Sequence, residues 1–224
     1  MGLWKTRHQS MEWLAKDFKS QANAIEGAFE FIDECIELFD SKSNSDDYCR
    51  ICGLTLAKAR NYALGAYGLI LDGLGQEAGA LIRPFIEYHE LLVYFRKDPS
   101  RVQQAIDGRL PSAGNIAKKI DGDFQGFRQY LNDNASHSSY SHHSLSHLLD
   151  KEEMTIRKEQ PFLENVLFTN MADFFVQLIL LAIEAVNSLH SHQAGVVNKQ
   201  AQAIDRLREE GISIFKLEER VPRP

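Results

Sequence analysis

The chain has 224 residues, 44% of them hydrophobic and 25% charged, with 25 basic against 31 acidic side chains and a formal charge of −6. That length supports a sizeable core without disulfides or metals, and the acidic balance disfavours a general nucleic-acid surface. Three cysteines (Cys35, Cys49 and Cys52) and an N-terminus without the apolar core of a signal peptide point to a reduced, cytoplasmic protein of bacterial type.

The first predicted element is a single amphipathic helix over 10–40. Leu14, Phe18, Ala22, Ile25, Phe29, Ile32, Ile36 and Phe39 recur at steps of four and three, a stripe suited to packing along another helix. Glu26, Glu30, Asp33, Glu34 and Glu37 lie opposite and read as a solvated face. Residues 41–47 form a loop that ends in helix-capping residues. A second helix, 46–71, is rich in small residues in its middle, from Gly53 through Ala59 and Ala63 to Gly68. Small side chains let helix backbones approach closely, so this element is expected at the centre. Asp72-Gly73-Leu74-Gly75 ends it. A third helix, 76–97, carries Pro84, where the lost hydrogen bond is expected to bend the axis.

Glycines and prolines then divide the chain into short helices near 99–107, 112–120 and 123–133. A serine- and histidine-rich stretch, 136–147, follows. Pro161 is well placed to start a fourth long helix, 162–192. Its apolar run, Phe174 to Val186, is too short to span a bilayer and contains Gln177 and Glu184, so it reads as a buried helix and no membrane association is expected. A last helix, 197–210, is expected to stop at Gly211, with 212–217 as a short strand or extended tail. The predicted fold class is all-α: four long helices in a bundle with shorter connecting helices. It forms one domain over 1–224, with its core at about 10–210 and a tail over 211–224.

Several chemistries can be tested against spacing. Cys49-Arg-Ile-Cys52 is a C-x-x-C near a helix start, where the helix dipole favours thiolate. All-helical alkylhydroperoxidase-type enzymes flank such a pair with a glutamate four residues before and a histidine four after. Ser45 and Leu56 stand there, so the pair reads as two thiols packed on one helical face. No glutamate lies three residues before any histidine, which excludes the Glu-x-x-His pairs of carboxylate-bridged di-metal bundles. There is no His-Glu-x-x-His, no Gly-x-Ser-x-Gly and no phosphate-binding glycine loop.

Arg83 and Glu87 are four apart on the third helix among apolar neighbours, so they can pair on one face. A partly buried pair reads either as structural or as the polar floor of a site. Arg83 to His89 also has the Arg-x4–6-His spacing of HEPN-type helical nucleases, which cut RNA without a metal. With thirteen arginines and eight histidines in the chain, roughly one such spacing arises by chance, and six residues along a helix set two side chains about 120° apart. His142, His143 and His147 give His-His-x-x-x-His, a weak candidate for a transition metal. The stretch reads first as a solvated or structural loop, next as a binding or acid–base loop, and last as a metal site.

The combination of Arg83-Pro-x-x-Glu87 on an apolar helix with Ala135-Ser136 and a later histidine cluster resembles a family of uncharacterised bacterial all-helical proteins. That family is a domain of unknown function with an Arg-x-x-x-Glu helix and a Ser…His segment. The likeness covers about 50–190 and implies a site of Arg83, Glu87, Ser136 and His142 or His143, without implying a reaction. The candidate ligand-binding residues are therefore Arg83, Glu87, Ser136, His137, Tyr140, His142 and His143. Two functions are expected as alternatives. One is a binding or interaction protein, a homo-oligomer without cofactor, that takes a small polar or anionic ligand. The other is a metal-independent HEPN-like ribonuclease or phosphodiesterase.

Overall fold

Asp46 starts the central helix by accepting hydrogen bonds from the backbone N–H groups of Tyr48 and Cys49 at 2.9 and 3.2 Å, the N-cap that its position predicts. The computed structural model describes residues 4–122, 124–131, 148–150, 152–157, 160–192 and 197–219. In order, the helices are α1 (Lys5–Lys16), α2 (Lys19–Asp40), α3 (Asp47–Leu71), α4 (Gly75–Lys97), α5 (Val102–Ile106), α6 (Ala113–Ile120), α7 (Gln125–Leu131), α8 (Glu164–His192) and α9 (Val197–Ile214). The fold is all-α. The long helices α2, α3, α4 and α8 share one core, α9 lies on α8 and α2, and α6 and α7 lie on α4.

The small residues of α3 do what their size predicts. Ala59, Ala63 and Ala66 are fully buried, and a Cβ on Gly65 would sit 3.0 Å from Leu81 of α4. α8 is apolar and long enough to cross a bilayer by length and composition alone. It carries buried residues along its whole length, from Leu167 to Leu189, and is packed by α2, α3, α4 and α9. α4 runs unbroken through Pro84.

Four expectations need correction. The helix expected over 10–40 is two helices, divided at Asp17-Phe18. α1 is held at the end of α3. Arg7 donates to the Asp72 carboxylate at 2.6 and 2.7 Å and to the Gly68 carbonyl at 2.7 Å, and Ser10 donates to the Leu71 carbonyl at 2.6 Å. The Ser10 bond satisfies the Leu71 carbonyl at the end of α3, and Arg7 adds a second donor to the Gly68 carbonyl, which already accepts from the Asp72 N–H. Asp33 is not simply solvated: Arg60 of α3 donates to its carboxylate at 2.5 and 2.8 Å. The sequence offers a strand candidate only at 212–217, yet a two-residue antiparallel pairing, β1 (Leu149–Asp150) with β2 (Thr155–Ile156), precedes α8.

The fourth correction is at Gly211. The last helix does not stop there but continues to Ile214, and no strand or extended tail occupies 212–217. Gly211 serves a close approach instead: a Cβ there would lie 2.0 Å from Cε1 of Phe175. That contact lets the fully buried Phe215 ring sit 5.0 Å from Phe175 and 6.1 Å from Phe168. Gly211→Ala is expected to destabilise the protein by about 1–3 kcal/mol, because the backbone or the Phe175 ring has to move. Urea unfolding measures this; an unchanged midpoint with an unchanged slope would contradict the packing.

Candidate functional site

Arg83, Glu87 and Glu90 recur along α4 at steps of four and three, which places them on one face. α6 covers that face. Its Ile116, Ala117 and Ile120 are buried, and Lys97 of α4 donates to the Ile120 carbonyl at its end. The chain then reverses through Asp121, whose φ is +53°. Gly122 follows, and a Cβ there would meet Oε1 of Glu90 at 2.9 Å. The turn can close on α4 only because position 122 has no side chain.

α7 completes the wall. Nη1 of Arg128 lies 3.2 Å from Oε2 of Glu90, with side-chain exposures of 13% and 2%. Arg128 also donates to the Ala113 carbonyl of α6 at 3.4 Å. Among the described residues, neither Glu90 oxygen nor Nε of Arg128 has a well-formed hydrogen bond, so the pair is held by charge in a low-dielectric setting. Burial pushes the Glu90 carboxyl above the usual carboxylate range, the Arg128 guanidinium pulls it back, and Glu87 adds to the upward push.

Between α4, α6 and α7 lies a cleft of about 560 Å³, a size typical of ligand sites. Its charged lining is Arg83, Glu87, Lys118, Asp121 and Arg128. Arg83 and Glu87 pair at 3.3 Å with about a third of each side chain exposed, so the sequence-predicted pair is present and faces the cleft. On the far side of α7, Phe127, Tyr130 and Leu131 line an apolar cavity of about 380 Å³ with Ile82 and Phe174. α7 is thus a partition with one polar and one apolar face.

His89 points elsewhere. It lines a second polar cavity, of about 370 Å³, with Arg96, Lys97, Phe124 and Glu184. There the Arg96 guanidinium donates to the Glu184 carboxylate at 2.6 and 3.0 Å, joining α4 to α8, and Ser188 donates to the same carboxylate at 3.1 Å. His89 is 7% exposed and meets the Phe124 ring edge-on at 5.1 Å. Burial, and then the Arg96 charge, push its pKa down to about 4. The unbroken helix keeps Arg83 and His89 in different cavities, so their spacing does not join them in one site.

Ser136, His137, Tyr140, His142, His143 and His147 lie outside the described residues. Arg128 and Gln129, near the end of α7, line the cleft, and that helix ends at Leu131, shortly before the serine–histidine stretch begins. Sequence reasoning missed Glu90, which pairs with Arg128 of the cleft wall and lines the neighbouring cavity with His89, although its place three after Glu87 on an apolar helix was a usable signal. It also missed Arg128, Lys118 and Asp121, for which nothing local gives a signal. Cys49 and Cys52 are both fully buried and form no disulfide. Among the described residues, the group whose donor atoms come close enough to share a metal ion is Asp46, Cys49 and His192.

His89 fixes one pH dependence. Its folded pKa of about 4 lies below the ordinary 6.5, so its contribution to stability is complete above 6.5 and is lost as pH falls toward 4. The difference is worth about 3 kcal/mol at most. Glu90, shifted upward, acts in the opposite sense, contributing at low pH and losing that contribution as pH rises. Denaturant unfolding of His89→Gln is therefore expected to depend less steeply on pH than the native chain over this window. Parallel profiles would contradict the assignment. The chain has no significant match to a family model, to a curated protein or to a solved structure.

Proposed function

We propose that this chain is a binding protein whose cleft between α4, α6 and α7 takes a small anionic ligand, a carboxylate or a phosphate. One observation carries the reading: Arg83, Lys118 and Arg128 line one cleft, whose acidic lining is Glu87 and Asp121. A guanidinium presents a planar fork that suits carboxylate and phosphate oxygens. Arg83 holds Glu87 only at 3.3 Å, so an incoming anion can take over that partner. Self-association belongs to the same reading and is supported by Leu54 and Leu64, which α3 leaves 63% and 50% exposed. So does a cytoplasmic location, which the reduced cysteines support.

A second reading is a metal-independent HEPN-like ribonuclease. The same basic wall favours it, with Arg83 steadying phosphate charge and a histidine of 136–147 as acid–base. Thermal melts with inorganic phosphate and with succinate test the first reading. Either anion is expected to raise the melting temperature of the native chain, by about 2.7 kcal/mol of stability at a hundredfold excess over Kd, and to have little effect on Arg83→Ala. No shift with either anion, or the same shift in Arg83→Ala, would contradict it. Incubation with single-stranded RNA in the presence of chelator tests the second reading, for which cleavage has to be lost in both Arg83→Ala and His142→Ala. An inactive native chain removes it.

A further inference from the structure

The start of α3 and the end of α8 meet at a second polar cluster, far in sequence from the cleft. Asp46 uses one carboxylate oxygen, Oδ1, to cap α3. Its other oxygen, Oδ2, is 2.6 Å from Nε2 of His192, the last residue of α8. The Tyr48 ring stacks on the His192 ring with centroids 4.2 Å apart, which fixes the plane of the imidazole. The Tyr48 hydroxyl in turn donates to the Ser188 carbonyl of α8 at 3.3 Å. An aspartate at a helix start and a histidine at a helix end each sit where the dipole favours their charge, so the pair has a structural account of its own.

That account leaves out Cys49. Its sulfur, on the first turn of α3, completes a set of one oxygen, one sulfur and one nitrogen, all within 4.8 Å of one another. The three come from two helix ends, and two of them, Asp46 and His192, keep 28% of their side chains exposed. We infer that Asp46, Cys49 and His192 form a binding site for a zinc-like divalent transition metal that ties the start of α3 to the end of α8.

The donor chemistry selects the ion. Thiolate with imidazole suits Zn²⁺ or Co²⁺, whereas Mg²⁺ and Ca²⁺ want oxygen shells. Three protein ligands leave the fourth tetrahedral position to water or to another donor. Bonds of about 2.0–2.3 Å set tetrahedral ligands roughly 3.3–3.8 Å apart. The Asp46–His192 contact therefore has to open slightly, while the widest separation, under 4.8 Å, closes by about 1 Å at most. Side-chain rotation at the two part-exposed residues can supply both movements, with the α3 cap left intact on Oδ1. Cys49 binds as thiolate, so binding releases its thiol proton to solvent.

The test uses the full chain, stripped with chelator and titrated with Co²⁺, followed by competition with Zn²⁺. One equivalent is expected to bind, with a sulfur-to-cobalt charge-transfer band that Zn²⁺ abolishes. Cys49→Ser is expected to lose the band. Cys52→Ser, one turn further along α3, is expected to keep it. His192→Gln is expected to weaken binding by more than about tenfold, the least that loss of a direct ligand should cost. Absence of saturable binding overturns the site, as does a band that survives in Cys49→Ser or disappears only in Cys52→Ser. Should Cys49→Ser not fold, His192→Gln decides, because its ring is partly exposed: native affinity in that variant overturns the assignment.

Discussion

Arg128 and Glu90 meet where α4, α6 and α7 converge, and every feature of the cleft follows from their contact. Two charges removed from water lose several kcal/mol each, and their attraction offsets that only when both are present. The pair therefore adds little net stability compared with an apolar filling of the same volume. What it does is make one arrangement of α7 much better than any other, because moving Arg128 away strands a carboxylate that is 1% exposed. The rest is consequent. Gly122 has to lack a side chain so that the turn can cover Glu90, and Asp121 adopts a left-handed backbone to reach it. Arg83 and Glu87, two turns and one turn earlier on α4, then become the opposite wall.

The same device recurs in milder form across the bundle. Arg7 with Asp72, Arg60 with Asp33 and Arg96 with Glu184 each join two helices through a forked guanidinium–carboxylate contact. Exposed pairs of this kind are worth little, about 0–1 kcal/mol. Glu184 is 5% exposed and belongs to the costlier class, together with Glu90. Glu90 belongs to α4 and Glu184 of α8 pairs with Arg96 of α4, so among the described residues the helix with the proline meets both buried acids. Its apolar side, through Phe85, Ile86, Leu92 and Phe95, is sealed in the shared core. A rigid helix with one sealed side and one charged side is a suitable base for a binding site.

Much of the scaffold was legible because it depends on local periodicity. The α3 boundaries, its small-residue middle, the short helices after α4 and the buried character of α8 all follow from patterns within one segment. The Arg83–Glu87 pair was legible for the same reason, since four residues on a helix bring two side chains together. What failed depended on partners far away. The break at Asp17-Phe18 sets off α1, whose Arg7 reaches Asp72, 65 positions along the chain. Gly211 looks like a helix stop from its neighbours and is a packing glycine because of Phe175. Glu90 was visible as an acid on an apolar helix, but its significance depends on Arg128, which lies in a segment of weak pattern. Asp46 and His192 are 146 positions apart, beyond any spacing rule. The site residues named from the serine–histidine stretch lie outside the described part of the chain, so the cleft stands on Arg83, Glu87 and the residues of α6 and α7.

The central claim is that a buried, charge-held contact between Glu90 and Arg128 fixes α7 and so forms the cleft. The unfolding free energy of Arg128→Gln, measured against the native chain at about pH 5 and at about pH 8, tests it most directly. Removing the guanidinium takes away the one influence that lowers the Glu90 pKa, so the folded state then favours the protonated carboxyl. A group shifted upward contributes stability at low pH and loses it as pH rises. The variant is expected to lose about 3 kcal/mol at the higher pH, as for a broken buried pair, and clearly less at the lower one. A loss that is equal at the two pH values, or absent at both, would contradict the claim.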